Sequence, residues 1–277
     1  MAVRLALAAI LLAAPATAGR SSDRRLSWDE GDAFVIVHRQ AGFSTAGVKI
    51  PLPALASGVK RRVVFPARGQ RFAVLDEASD EVGLHDASPR GSRLAAALVT
   101  GSSVRLFDLR GRALWTKSLP ETHAVGGEGG TPPLVLGGDG SAAILLQDAD
   151  PYTKEKPLVL VLDAKGRERL RLDYTSWTRV DDMLLSDDGA WLVVRGIGRV
   201  PADDTWGSAL GHYRLSDGDR AVFPTRSAAG LRGLRGVDKD GRACCLLEGK
   251  SFVAVGHDGG REALSPAEAA RRFGAAP

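Results

Sequence analysis

Cysteine is nearly absent from this 277-residue chain, and the only two are neighbours, Cys244 and Cys245. Adjacent cysteines cannot staple distant elements together. As successive residues of a strand they would face opposite sides, so stability has to come from a packed core. Aromatic residues are scarce at 6%, and no basic stripe with interleaved aromatics runs along the chain, which excludes a nucleic-acid binder. No Gly-x-Ser-x-Gly marks a hydrolase nucleophile. The five histidines (His38, His85, His123, His212 and His257) show no metal-ligand spacing such as His-x-x-x-His. No apolar run reaches the roughly 20 residues that span a bilayer.

What is present begins at the N-terminus. Arg4 precedes an apolar run from Leu5 to Ala14, then Pro15-Ala16-Thr17-Ala18-Gly19. One positive charge, a short apolar stretch and a small-x-small site ending at Ala18 are the parts of a cleavable secretory signal. Residues 1–18 are therefore read as a signal peptide, residues 19–32 as an N-terminal extension and residues 33–277 as the folded domain. Arg4 stands alone and no cysteine follows the cleavage site, so neither a twin-arginine signal nor a lipid anchor is indicated. The expectation is an exported protein, periplasmic or extracellular, soluble once the signal is removed. The wealth of Ala, Gly and Arg suits a GC-rich bacterial genome.

Four segments repeat one pattern: an apolar stretch, a tight turn with glycine, a second apolar stretch. They are Glu81–Val99, Pro133–Leu146, Asp182–Val194 and Gly236–Leu247. Their turn glycines, Gly91, Gly140, Gly189 and Gly241, fall 49, 49 and 52 residues apart. Glycine accepts the positive φ that tight hairpins need. Each is followed by a second hairpin, at Ser103–Trp115, Pro157–Leu172, Gly211–Phe223 and Ser251–Leu264. Each unit is thus four strands, A to D, and a period near fifty with four strands per unit points to propeller blades. Residues 33–78 carry further strands. The expected fold is an all-β propeller of five to six four-stranded blades, ending in a short helix with Ser265 as N-cap and Pro266 at its first position.

The pattern resembles the blades of the WD-repeat and pyrroloquinoline-quinone-type propellers. Ser186-Asp187-Asp188-Gly189 and Ser88-Pro89-Arg90-Gly91 match the A–B turn, and Val104–Trp115 and Val159–Arg169 the C–D hairpin. The resemblance covers Glu81 to Leu264 and implies architecture, not activity. Quinone-dependent alcohol dehydrogenases look similar and carry a vicinal disulfide near their cofactor. This chain is less than half their size and its cysteines fall on a strand, so no cofactor is expected.

Tight A–B and C–D turns gather at one end of a propeller, B–C and D–A connections at the other. Longer connections on one face of a rigid scaffold are where binding residues sit. The long ones here are read at Gln147–Lys156, Gly196–Ser208 and Leu119–Pro132. They would bring His123, Glu128, Asp148, Asp150, Tyr152, Trp177, Asp203, Asp204 and Trp206 to one candidate face. Asp148-x-Asp150 and Asp238-x-Asp240-Gly241 hold clustered carboxylates, yet neither completes a calcium loop, and Asp before Gly is ordinary turn chemistry. No catalytic residue and no metal site emerge. The favoured reading is a non-enzymatic propeller that binds a partner protein or an envelope polymer through these loops. The alternative is a small secreted lyase or hydrolase on carbohydrate or lactone substrates, which would need carboxylates and histidine to converge at one channel mouth.

Overall fold

The computed structural model describes residues 26–31, 34–41, 44–52, 59–64, 71–78, 102–108, 110–120, 123–126, 132–148, 156–202, 204–225 and 231–273. The signal peptide and the hairpin read at Glu81–Val99 lie outside them.

A three-stranded antiparallel sheet comes first: β1 (Leu26–Gly31), β2 (Phe34–Ala41) and β3 (Ser44–Pro51). The first strand pairs along its length with β2, from Leu26↔Arg39 to Gly31↔Phe34. The next sheet holds β4 (Val59–Val64), β5 (Arg71–Ala78), β6 (Ser103–Asp108) and β7 (Ala113–Ser118) in that order. Strands A and B of this blade were expected at residues 81–99. Their places are taken by β4 and β5, with Leu75 opposite Val104. The even spacing of turn glycines therefore overstated the repeat at its first interval.

The second blade contains β8 (His123–Val125), β9 (Leu134–Leu136), β10 (Ala142–Asp148), β11 (Pro157–Leu162) and β12 (Glu168–Leu172). Both β8 and β9 pair with β10, one at each end, so strand A is split in two. The Leu119–Pro132 segment, expected as a connection, thus contributes to the blade itself. The third blade is β13 (Trp177–Leu185), β14 (Trp191–Val200), β15 (Thr205–Arg214) and β16 (Arg220–Pro224). The fourth is β17 (Leu231–Val237), β18 (Ala243–Leu247), β19 (Phe252–Val255) and β20 (Arg261–Leu264).

Period-two alternation explains how the sheets stack. Every residue of β11 is buried. Leu158, Leu160 and Leu162 pack with Ala73, Leu75, Val104 and Leu106 of the first blade. Val159 and Val161 point the other way, to Met183, Leu192 and Val194 of the third. In β14, Val193 turns to Leu234 and Cys245 of the fourth blade. A strand that is apolar on both faces is what a sheet sandwiched between sheets requires. The blades come nearest along their first strands, with β13 beside β9 and β17, and β4 beside β9. Outer strands fan apart. Among the described residues the all-β propeller comprises four antiparallel sheets of four or five strands preceded by a three-stranded sheet, about four to five sheets where five to six blades were expected.

The helix α1 (Pro266–Phe273) closes the described chain as expected. Ser265 Oγ accepts from Glu268 N (3.2 Å), and Glu268 Oε2 accepts in return from Ser265 N (2.9 Å), a reciprocal capping box. Its Ala269 and Phe273 pack against Cys244 and Phe252, covering the outer face of the fourth blade. Among the described residues no helix is long and apolar enough to cross a membrane.

Candidate binding site

The third blade differs from its neighbours in the length of its central hairpin. The β14–β15 ladder runs ten residue pairs, from Trp191↔Arg214 to Val200↔Thr205, whereas β13–β14 has seven and β15–β16 five. The Gly196–Ser208 segment read as a loop is mostly this ladder. Gly196 is there because strand A leaves no room for a side chain: a Cβ would stand 2.0 Å from the Arg179 carbonyl oxygen. The two strands carry the hairpin out on the side of the B–C and D–A connections, with Pro201, Ala202 and Asp204 beyond the last pair, Val200↔Thr205.

Trp177, one of the candidates for this face, lies in the core. It is the first residue of β13 and 1% exposed, lodged between the second and third blades beside Leu172 and Val180. Its ring occupies the space left by two glycines, since a Cβ on Gly198 or Gly211 would come within 2.9 or 2.7 Å of it. The buried indole N–H needs an acceptor, and it donates to Tyr213 Oη at 2.7 Å. Tyr213 is 3% exposed, and burial pushes its phenol up to about 12.

Above this pair lies a cleft of about 370 Å³ lined by Thr175, Ser176, Arg199, Asp204, Tyr213 and Arg220, with Pro201 and Val222 as its apolar part. The β12–β13 loop forms one wall. Asp173 holds the turn by accepting from Thr175 N (3.0 Å) and the Thr175 hydroxyl. Ser176 carbonyl accepts from Arg199 N (3.0 Å), tying that loop to the hairpin. Arg199 Nε donates to Asp204 Oδ1 at 2.7 Å. Asp204 takes a left-handed conformation (φ 49°) that Asp tolerates in turns.

Two exposed aromatic side chains are carried by the segments that supply the lining. Tyr174 and Trp206 are the exposed large apolar side chains among the described residues. Tyr174 lies in the β12–β13 loop with Lys156 Nζ 5.2 Å from its ring centre. Trp206 stands opposite Arg199 on the projecting hairpin. Of the candidate residues read in sequence, Asp204 and Trp206 fall at this site. His123 is half-buried and opposite Asp148 at the end of the β8–β10 ladder, on the second blade. Glu128, Asp150, Tyr152 and Asp203 lie outside the described residues. Sequence reasoning passed over Tyr174, Ser176, Arg199, Tyr213 and Arg220. A Tyr-Thr-Ser turn directly before a strand was the available signal for the first two.

On the other face of the third blade, His212 is buried on β15 and its Nδ1 donates to the Gly241 carbonyl (2.9 Å) between the third and fourth blades. Desolvation lowers its pKa to about 4. Asp238 Oδ1 accepts from Asp240 N and Arg242 N, and Oδ2 takes the Arg272 guanidinium (3.1 Å), so this carboxylate serves the turn and the helix. Among the described residues, no three His, Cys, Asp or Glu side chains gather as a metal would need.

No protein-family model matches the chain. No curated protein matches it in sequence either. Solved structures with a similar arrangement include the β-propeller domain of the Trilobed protease from Pyrococcus furiosus (11% identity, TM-score 0.44, covering 76% of this chain and 58% of that one). A nidogen/laminin complex is similar at 11% identity and TM-score 0.41, covering 87% and 79%. A eukaryotic initiation factor is similar at 10% identity and TM-score 0.36, covering 74% of this chain, which spans 43% of the factor. At such scores nothing about ligand or activity passes to this chain.

Proposed function

We propose that this protein is an exported, non-enzymatic propeller that docks a partner protein on the end of its third blade. The observation that carries the reading is that the two exposed aromatics sit next to cleft-lining residues, Trp206 across the extended β14–β15 ladder from Arg199 and Tyr174 beside Thr175 in the chain. Trp, Tyr and Arg are the side chains on which binding energy concentrates at protein interfaces. The hairpin is a hydrogen-bonded ladder, so it offers Trp206 without an ordering cost on binding. Export rests on the leader read at residues 1–18, and the partner is accordingly an envelope protein. The blades group with the WD-repeat and quinone-type kind through the Ser-x-Asp-Gly turn. In support, Ser186 Oγ accepts from Trp191 N (3.0 Å) and donates to Asp188 Oδ1 (2.6 Å).

The test is capture from envelope extract by immobilised wild-type protein and by Trp206→Ala. A protein retained by the wild type and lost with Trp206→Ala is the expected result. Retention of a polysaccharide in its place would transfer the face to an envelope polymer. Capture indifferent to Trp206 would remove the face from consideration.

A further inference from the structure

The chemistry of the cleft narrows what can enter it, given that the third-blade face is the docking face. Tyr213 Oη accepts the Trp177 N–H, and among the described residues nothing accepts the proton of its own hydroxyl. A phenol that is 3% exposed with an unspent donor is costly unless a cleft occupant accepts from it. Because burial keeps the phenol protonated up to about 12, it remains a donor throughout the physiological range. Two further donors line the same cleft without side-chain partners among the described residues: the Ser176 hydroxyl and the Arg220 guanidinium.

The acceptors present are already engaged. Asp204 faces the Arg199 guanidinium, with Oδ1 2.6 Å from Nη2. Asp173 Oδ1 is taken by Thr175. The cleft is therefore rich in unspent donors, carries an uncompensated cation in Arg220, and has its carboxylates neutralised or turned to the backbone. We propose that it is a carboxylate subsite, in which an acidic side chain of the docked partner accepts from Tyr213 and Ser176 and pairs with Arg220. A planar guanidinium suits a carboxylate in two-point geometry.

The probe is a capped tetraglutamate peptide, titrated into the full chain and followed by intrinsic fluorescence. Arg220→Gln removes an exposed charge without disturbing the core, and Tyr213→Phe removes the buried donor. Arg232→Gln, on the fourth blade, deletes an equal charge elsewhere and controls for the overall +4. The expected result is binding by the wild type and by Arg232→Gln, weakened at least tenfold in Arg220→Gln and again in Tyr213→Phe. Equal loss in Arg220→Gln and Arg232→Gln would reduce the effect to net charge and overturn the subsite. No binding by the wild type would overturn it as well. Envelope capture that depends on Trp206 but ignores Arg220 would leave the docking face standing and remove the carboxylate inference alone.

Discussion

The Gly241 backbone lies against the Trp191 indole, so close that a Cβ at Gly241 would stand 2.4 Å from Cδ2 and 2.5 Å from Cε2. Gly241 belongs to the A–B turn of the fourth blade, and Trp191 begins the second strand of the third. The ring is held from other sides by the Arg214 guanidinium at 4.9 Å and by His257 at 5.1 Å. A turn glycine is thus also a point where neighbouring blades touch.

Gly218 provides the comparison for a first prediction. It turns β15 into β16 at φ 76°, nearly the 77° of Gly241, but a Cβ there would meet nothing within 4 Å. Gly218→Ala carries the backbone strain alone, about 1 kcal/mol. Gly241→Ala adds overlap with a ring that cannot move aside, for a total of about 3 kcal/mol. Urea unfolding midpoints measure both. Equal losses would mean that the blade contact at Trp191 contributes nothing.

His212 sets a pH dependence. Its pKa falls from 6.5 to about 4 because burial disfavours the imidazolium, with the Gly241 carbonyl opposing and the nearby His257 reinforcing that shift. The unfolded chain binds the proton first as pH drops, so stability is full above about pH 7, declines between 6.5 and 4, and gains no further loss from this group below 4. A shift of that size corresponds to about 3 kcal/mol. The difference between wild type and His212→Gln in unfolding free energy should shrink by most of that amount from pH 7 to pH 4. A difference that stays constant over this range would remove His212 as the acid-sensitive group.

How far the sequence went can be seen residue by residue. Gly140, Gly189 and Gly241 were legible as A–B turns because Asp-Gly between apolar runs is a local signal, and all three take positive φ. The two-sided burial of β11 was legible from its unbroken apolar run. Strands β4 and β5 were not, because which hairpin joins β6 depends on long-range pairing between β5 and β6, not on local pattern. Gly196 and Gly198 read as loop because glycine usually marks one. Here they mark close approach, to the Arg179 carbonyl and to the Trp177 ring, which only the packed structure discloses. The cleft escaped for the same reason: Ser176, Arg199 and Arg220 come from three separate segments with no shared motif.

Cys244 and Cys245 offer a third prediction. Both are free and fully buried, and they face opposite ways from β18: Cys244 toward Phe252 and Phe273, Cys245 toward Val193 and Leu234. Burial pushes the thiols up to about 11 and about 12. Reactivity follows the thiolate, so the native protein should not react with an aromatic disulfide reagent at pH 8. Two equivalents should appear on unfolding in guanidinium. A native protein that titrates one thiol promptly would contradict the packing of β18.

The two tryptophans that the sequence set on one face give the last prediction, because the structure assigns them opposite work. Trp177 fills the space between blades and donates to Tyr213, so Trp177→Phe removes ring volume from a site bounded by Gly198 and Gly211 and strips the Tyr213 oxygen of its donor. The cavity and the lost hydrogen bond together should cost about 2–4 kcal/mol. Trp206 is 44% exposed at the hairpin rim, and Trp206→Ala should leave stability within about 0.5 kcal/mol of the wild type, the range for surface positions. Chemical unfolding of the two variants measures the contrast. If Trp206→Ala instead unfolds as readily as Trp177→Phe, the hairpin depends on that indole for its own packing. A loss of partner capture in Trp206→Ala would then report a damaged blade and not a missing contact.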